Sequence, residues 1–237
     1  MIFTTHSYRF AQEIIEHPKY VVGYREIISV IEQCPLFIYP NKSQNRRLDI
    51  VQQLLNSFFD RKFACDLGWE LHPDSTRIPD SGLAADYRKE FNGLRIQSEV
   101  QFGNMSRWYS DIFKFQTAYS QDLIDMGLSI VPVSSIARRI DSNVVNFERC
   151  VRELPSAKLS ITLPILLIGV DIDISTTTLD ASTANFTDIK AITGKGNSAN
   201  KFKIINGFLT GTPISDINIG SPTGPMPNLE ISDEEES

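Results

Sequence analysis

Two acidic residues and an amide, Asp86, Glu99 and Gln101, flank one short turn in the stretch from Ala84 to Gln101. The turn is Asn92-Gly93, a pair suited to a type I′ hairpin because both central positions need positive φ. Beyond it, Leu94, Ile96, Ser98, Val100 and Phe102 alternate with Arg95, Gln97, Glu99 and Gln101, the period of two that marks a half-buried strand. One face of that strand is expected to enter the core while the other presents Glu99 and Gln101. With Asn92 and Gly93 as loop residues, Asp86 falls opposite Glu99 and Glu90 opposite Arg95. Directly opposed Cβ atoms lie roughly 4.5–5.5 Å apart. Two carboxylates that close repel each other unless a proton or a cation stands between them. A hard cation such as Mg²⁺ takes oxygen ligands and is commonly held by one or two carboxylates. Glu90 beside Arg95 has the plainer explanation of an exposed ion pair. The pattern singles out Asp86, Glu99 and Gln101 as a candidate metal-dependent site.

The rest of the chain must position those groups. Its 237 residues, 41% hydrophobic and 22% charged, suit a globular domain with one good-sized core. No apolar run approaches the roughly 20 residues that span a bilayer, and Leu163–Val170 is of buried-strand length. The N-terminus MIFTTHSYRF lacks the basic-then-apolar layout of a secretory signal. Cys34, Cys65 and Cys150 are odd in number and far apart, which suggests neither a disulfide framework nor a zinc site. A reducing cytoplasm is the expected setting, with no membrane partner. A net charge of −6 argues against a non-specific nucleic-acid coating protein, which would carry a basic face. It leaves room for a DNA enzyme whose basic residues gather in one cleft. Some of the acidity lies in the final EISDEEES, expected to be solvated.

Residues 1–40 suggest short helices over Phe10–Glu16 and Glu26–Cys34, and a longer one is expected from Arg47 to Phe63. A polar connection from Gly68 to Pro79 leads into the hairpin. A helix over Ser106–Tyr119 has apolar residues round more than one stripe, so Trp108, Tyr109 and Phe113 read as core or partner contacts. Leu128–Val133 reads as a strand and Val144–Leu154 as an amphipathic helix. Leu163–Val170, apolar on both faces, reads as a central strand. Together these predict an α/β fold with a mixed central β-sheet flanked by helices. The domain is expected to span 1–212: a helical N-terminal segment over 1–80, a catalytic core over 81–171 and a loosely decorated extension over 172–212 with weak alternation at Phe202–Leu209. A flexible acidic tail is expected over 213–237.

The run Glu99-Val100-Gln101-Phe102 resembles the active-site strand of the BglII and BstYI type II restriction endonucleases. The resemblance continues through WYSDIFKFQTAY, GLSIVPV, RRIDSNVVNFERCVREL and LPILLIG, so it covers roughly residues 84–171. It implies a restriction-endonuclease-like fold of the PD-(D/E)XK type, a homodimer, and Mg²⁺-dependent hydrolysis of double-stranded DNA at a short palindrome, without a nucleotide cofactor. Glu99 matches the family's metal-binding glutamate and Gln101 the glutamine that replaces the more usual lysine. Val100 would offer its main-chain carbonyl to the metal. The family's further aspartate falls on Glu90 in a gapless match and on Asp86 if the hairpin is longer. The turn register favours Asp86, and both stay open at this point.

Asn104 and the pair Ser142 and Asn143 match DNA-contacting segments, and relatives that read sites centred on GATC imply such a core here. Asn can bond adenine in a bidentate manner, but Asn104 and Asn143 equally suit helix N-capping. Arg138 and Arg139 are candidate phosphate contacts or simple surface. Two alternatives remain: a DNA-binding protein of the same fold that does not cut, favoured if Asp86 and Glu90 both lie far from Glu99, and a metal-dependent hydrolase of a small phosphorylated substrate, favoured by an enclosed pocket.

Overall fold

The structure is a computed structural model that describes residues 1–220 apart from 46, 187 and 195–197. In chain order its regular elements are β1 (Ile2–Tyr8), α1 (Ala11–Ile15), α2 (Val21–Gln33), β2 (Leu36–Ile38), α3 (Gln52–Asp60), β3 (Glu70–Leu71), β4 (Tyr87–Phe91) and β5 (Leu94–Val100). They continue as α4 (Met105–Ser120), β6 (Met126–Pro132), α5 (Ser134–Ile140), α6 (Phe147–Glu153), β7 (Ile165–Asp171), β8 (Thr178–Asp180), α7 (Lys190–Thr193) and α8 (Ser198–Thr210).

Six strands form one mixed sheet in the order β1-β7-β6-β5-β4-β3. The central trio β5, β6 and β7 is parallel, while β1, β4 and β3 join antiparallel at the flanks. Parallel strands need long crossovers, here α4 between β5 and β6, and α5 with α6 between β6 and β7. Every residue of β6 is buried, as expected of a strand covered on both faces. On one face, α4 hydrogen-bonds Trp108 Nε1 to Ser129 Oγ at 3.1 Å. The ring of Phe115 lies so close over Gly127 that a Cβ there would stand 2.9 Å from it. On the other face, Phe63 packs on Tyr87 and Lys89 pairs with Glu26 of α2.

The mixed sheet flanked by helices is as expected, and several details differ. The N-terminal segment is not all helix. Residues 2–8 form the edge strand β1, whose Thr, His and Ser residues are only partly covered and so give no clear alternation. The Glu99 face of β5, expected to be open, is buried: Gln97 and Glu99 are 0% and 1% exposed. That follows from its place between β4 and β6 with α4 above it. Residues 134–140, between two expected elements, form α5. Phe202–Leu209 is helical, within α8, with Phe202, Ile204 and Ile205 buried. The chain is still packed past Pro213, since Ile214 and Ile217 are buried; residues 221–237 of the expected tail lie outside the described residues. Among the described residues, no helix is long and apolar enough to cross a membrane.

Candidate active site

Asn92 and Gly93 both take positive φ, 51° and 90°, as a type I′ turn requires, and the ladder pairs Glu90 with Arg95 and Tyr87 with Ser98. Asp86, one residue beyond, therefore reaches the end of β5. Its Oδ2 accepts the Val100 N–H at 2.8 Å. Glu90 sits at the opposite end, exposed and four residues from Glu99 along the ladder, about 13 Å at strand rise. The gapless alternative for the first carboxylate thus puts Glu90 outside the cleft.

Asp86, Glu99, Val100 and Gln101 line one cleft of about 240 Å³. Five residues that the sequence reading did not single out complete it: Asn56 from α3, and Arg107, Ser110, Asp111 and Lys114 from α4. Lys114 Nζ lies 3.1 Å from both Glu99 Oε2 and Asp111 Oδ1. Gln101 is held on two sides: its Nε2 donates to Asp111 Oδ2 at 3.0 Å and its Oε1 accepts the Gly103 N–H at 2.9 Å. A signal for Asp111 and Lys114 did exist in the sequence. Asp111 falls three residues from Trp108 and four from Phe115, on the buried stripe of its helix, and a buried acid needs a partner. Lys114 stands at i+3, within reach on the same face.

The electrostatics are those of a site with surplus negative charge. Burial above all, then the neighbouring Asp86 and Asp111 charges, push Glu99 up to about 10, against the pull of Lys114. Burial likewise pushes Asp86 up to about 6, assisted by Asp111 and opposed by the Val100 N–H and Lys114. Glu99 Oε1 is buried with no hydrogen-bond partner, an arrangement that costs free energy unless another group satisfies it. Oxygen donors, crowded carboxylates and this orphaned atom fit a hard divalent cation. Among the described residues, no three His, Cys, Asp or Glu side chains form a ready-made metal cage. A cation here would thus draw on two carboxylates, a main-chain carbonyl and outside oxygens.

Next to the cleft the loops carrying Asn104 and Asn143 are stitched together. Asn104 bridges Val144, and Met105 N–H donates to the Asn143 carbonyl at 3.1 Å. Asn104 caps α4, its side chain accepting the Ser106 N–H at 2.9 Å. Asn143 caps nothing: α6 starts at Phe147 with Asn146 as its cap. Ser142 and Asn143 are exposed, as is Arg138. Arg139 is engaged with Asp49 through two hydrogen bonds of 2.9 and 2.8 Å.

A family model described as "Restriction endonuclease BglII/BglIII" matches residues 3–170. Among solved structures, restriction endonuclease BglII complexed with a DNA 16-mer matches at a TM-score of 0.59 and 17% identity, covering 74% of this chain and 81% of that one. Free BglII matches at 0.53 and 18%, covering 74% and 82%; identities this low speak to the fold. No curated protein sequence matches the chain. Fold and family together define a type II site-specific deoxyribonuclease. The chain belongs to the restriction endonuclease BglII/BglIII family. The arrangement that would have favoured a non-cutting protein, Asp86 and Glu90 both remote from Glu99, is not met, since Asp86 shares its cleft.

Proposed function

We propose that this enzyme hydrolyses phosphodiester bonds in both strands of double-stranded DNA at a short palindrome with a GATC core, as a cytoplasmic homodimer using Mg²⁺. The carrying observation is the cleft in which Asp86 and Glu99 converge with one Glu99 oxygen left without a partner. In this reading the carboxylates of Asp86 and Glu99 and the main-chain carbonyl of Val100 hold the ion. When bound, it supplies an acidified water as nucleophile and charge neutralisation at the phosphate.

The chain's own groups do the rest. Asp86 is oriented by the Val100 N–H, so its free oxygen has a fixed direction. Gln101, neutral, is no general base. With one N–H bonded to Asp111 and its oxygen bonded to Gly103, its amide plane is fixed. Its second N–H and second lone pair are left to orient the attacking water. Exposed Arg107 on the cleft wall and Arg138 suit phosphate contacts; Arg139, paired with Asp49, serves by shaping the loop. Asn104, Ser142 and Asn143 form one rim where an amide can bond an adenine edge in a bidentate manner.

A homodimer would mirror the symmetry of a palindrome. Exposed Tyr109 and Phe113 on α4, 45% and 61% accessible, give it an apolar contact face. Digestion of unmethylated DNA with Mg²⁺, with EDTA, and with Glu99→Ala tests the reading. Discrete ends at one sequence are expected from the wild type with Mg²⁺ alone. Equal cutting by Glu99→Ala, or in EDTA, would end the metal-site assignment.

A further inference from the structure

Lys114 is a charged residue of the cleft that the hydrolysis above leaves without a task. It comes from α4, which is packed on the sheet beside the site through the Trp108–Ser129 hydrogen bond and the Phe115–Gly127 contact. Its side chain is 17% exposed, against 1% for Glu99 and 4% for Asp111. Both oxygens of Asp111 are in use, Oδ1 by Lys114 and Oδ2 by Gln101. Glu99 spends Oε2 on Lys114 and keeps Oε1 unpartnered. One ammonium therefore pairs with two carboxylates, Glu99 and Asp111, in a cleft that also holds a third, Asp86.

We propose that Lys114 is a tethered counter-ion: it shares Glu99 with the divalent cation and holds the cation's affinity low until DNA arrives. This rests on the assignment of Glu99 as a metal-holding residue. Two physical effects support it. An ammonium 3.1 Å from Glu99 Oε2 both occupies that oxygen and repels a second cation at the same carboxylate. A phosphodiester entering the cleft brings a negative charge with which a flexible, three-donor ammonium can pair. Glu99 is then relieved of its internal partner as the substrate arrives. Metal binding and DNA binding are thereby coupled, so the metal is taken up mainly when there is a bond to cut. Asp111 anchors the switch by keeping the ammonium near the cleft in both states.

The test is calorimetric titration of Ca²⁺ into the full-length protein, with and without a duplex carrying the cleavage site, for wild type, Lys114→Gln, Lys114→Arg and Glu99→Ala. Lys114→Gln is expected to bind Ca²⁺ tighter than wild type in the absence of DNA by about tenfold or more, the effect of removing one like charge at this range. Its gain in affinity on adding duplex should shrink correspondingly. Lys114→Arg, which keeps the charge, should stay within a few-fold of wild type. Equal or weaker DNA-free binding by Lys114→Gln would overturn the proposal, as would a duplex that leaves the wild-type Ca²⁺ affinity unchanged. That second outcome needs no variant to fold. Wild-type binding matched by Glu99→Ala would instead remove the metal-site assignment beneath it, so the two failures are told apart.

Discussion

Asp86 Oδ2 accepts the main-chain N–H of Val100 at 2.8 Å, so the acid that precedes one strand of the hairpin is tied to the end of the other. Val100 is buried. Asp86→Ala is therefore expected to strand that N–H at a cost of about 1–3 kcal/mol. Asp86→Asn keeps an acceptor oxygen and removes a buried negative charge. It should match or exceed the wild type in metal-free denaturation while its cleavage rate falls by more than about 100-fold, beyond what outer-shell losses cost. A cleaving Asp86→Asn enzyme would show that the carboxylate only braces the strand.

The Phe115 ring over Gly127 sets the height of α4 above the sheet, and through it the places of Asp111 and Lys114. Gly127→Ala puts a methyl 2.9 Å from that ring, and such overpacking costs about 1–3 kcal/mol. The expected outcome is a lower melting temperature together with slower cleavage, because Gln101 loses its fixed partner on α4, while duplex affinity changes little. Adding Phe115→Leu should recover some of both. Unchanged cleavage in Gly127→Ala at a temperature where it is fully folded would mean that the α4 groups do not set the rate.

The contrast between the hairpin and α4 shows what the sequence could disclose. Asn92-Gly93 is a local signal, and the register it imposes carried Asp86 to Glu99 correctly. Asp111 and Lys114 enter the site through a contact between α4 and β5 that depends on how the crossover lies on the sheet. Nothing in the spacing of charges along β5 could report it. The depth of Glu99 was missed for a related reason: alternation says which residues share a face, not whether a helix will cover that face. Strand β1 escaped because an edge strand with little burial on either side has little pressure to alternate. Helix α8, rich in Asn and Lys with Gly207 inside it, has weak intrinsic helical preference and is held by tertiary packing of Phe202, Ile204 and Ile205.

Asn104 and Asn143 lie side by side but differ in what the fold asks of them. Asn104 caps α4, so Asn104→Ala is expected to cost about 1 kcal/mol of stability whatever its role toward DNA. Asn104→Asp keeps the capping oxygen and loses the amide donor, which isolates base reading. Asn143 has no cap to lose, so Asn143→Ala should alter stability by less than about 0.5 kcal/mol. If it reads a base, binding to the cognate duplex should weaken by about 1–3 kcal/mol with non-cognate binding unaffected. Competition assays with the two duplexes measure this; a uniform loss on both would reassign Asn143 to backbone contact.

Behind the cleft, Asp60 on α3 accepts the Tyr87 hydroxyl at 2.6 Å. Burial raises its carboxyl above the usual range, opposed by that hydrogen bond and by the charges of His72 and Lys201. A carboxyl raised in the folded state favours the native protein fully only below its unfolded value, near 3.9, and that contribution disappears as the pH climbs through the folded value. Asp60→Asn keeps an acceptor for Tyr87 and carries no charge. In denaturant titrations in EDTA from pH 4 to pH 8, the wild type is therefore expected to lose stability relative to Asp60→Asn as the pH rises. The two curves should lie closest at the acid end. A difference that stays constant across the range would mean that His72 and Lys201 already neutralise Asp60 and that its burial exerts no pull on the fold.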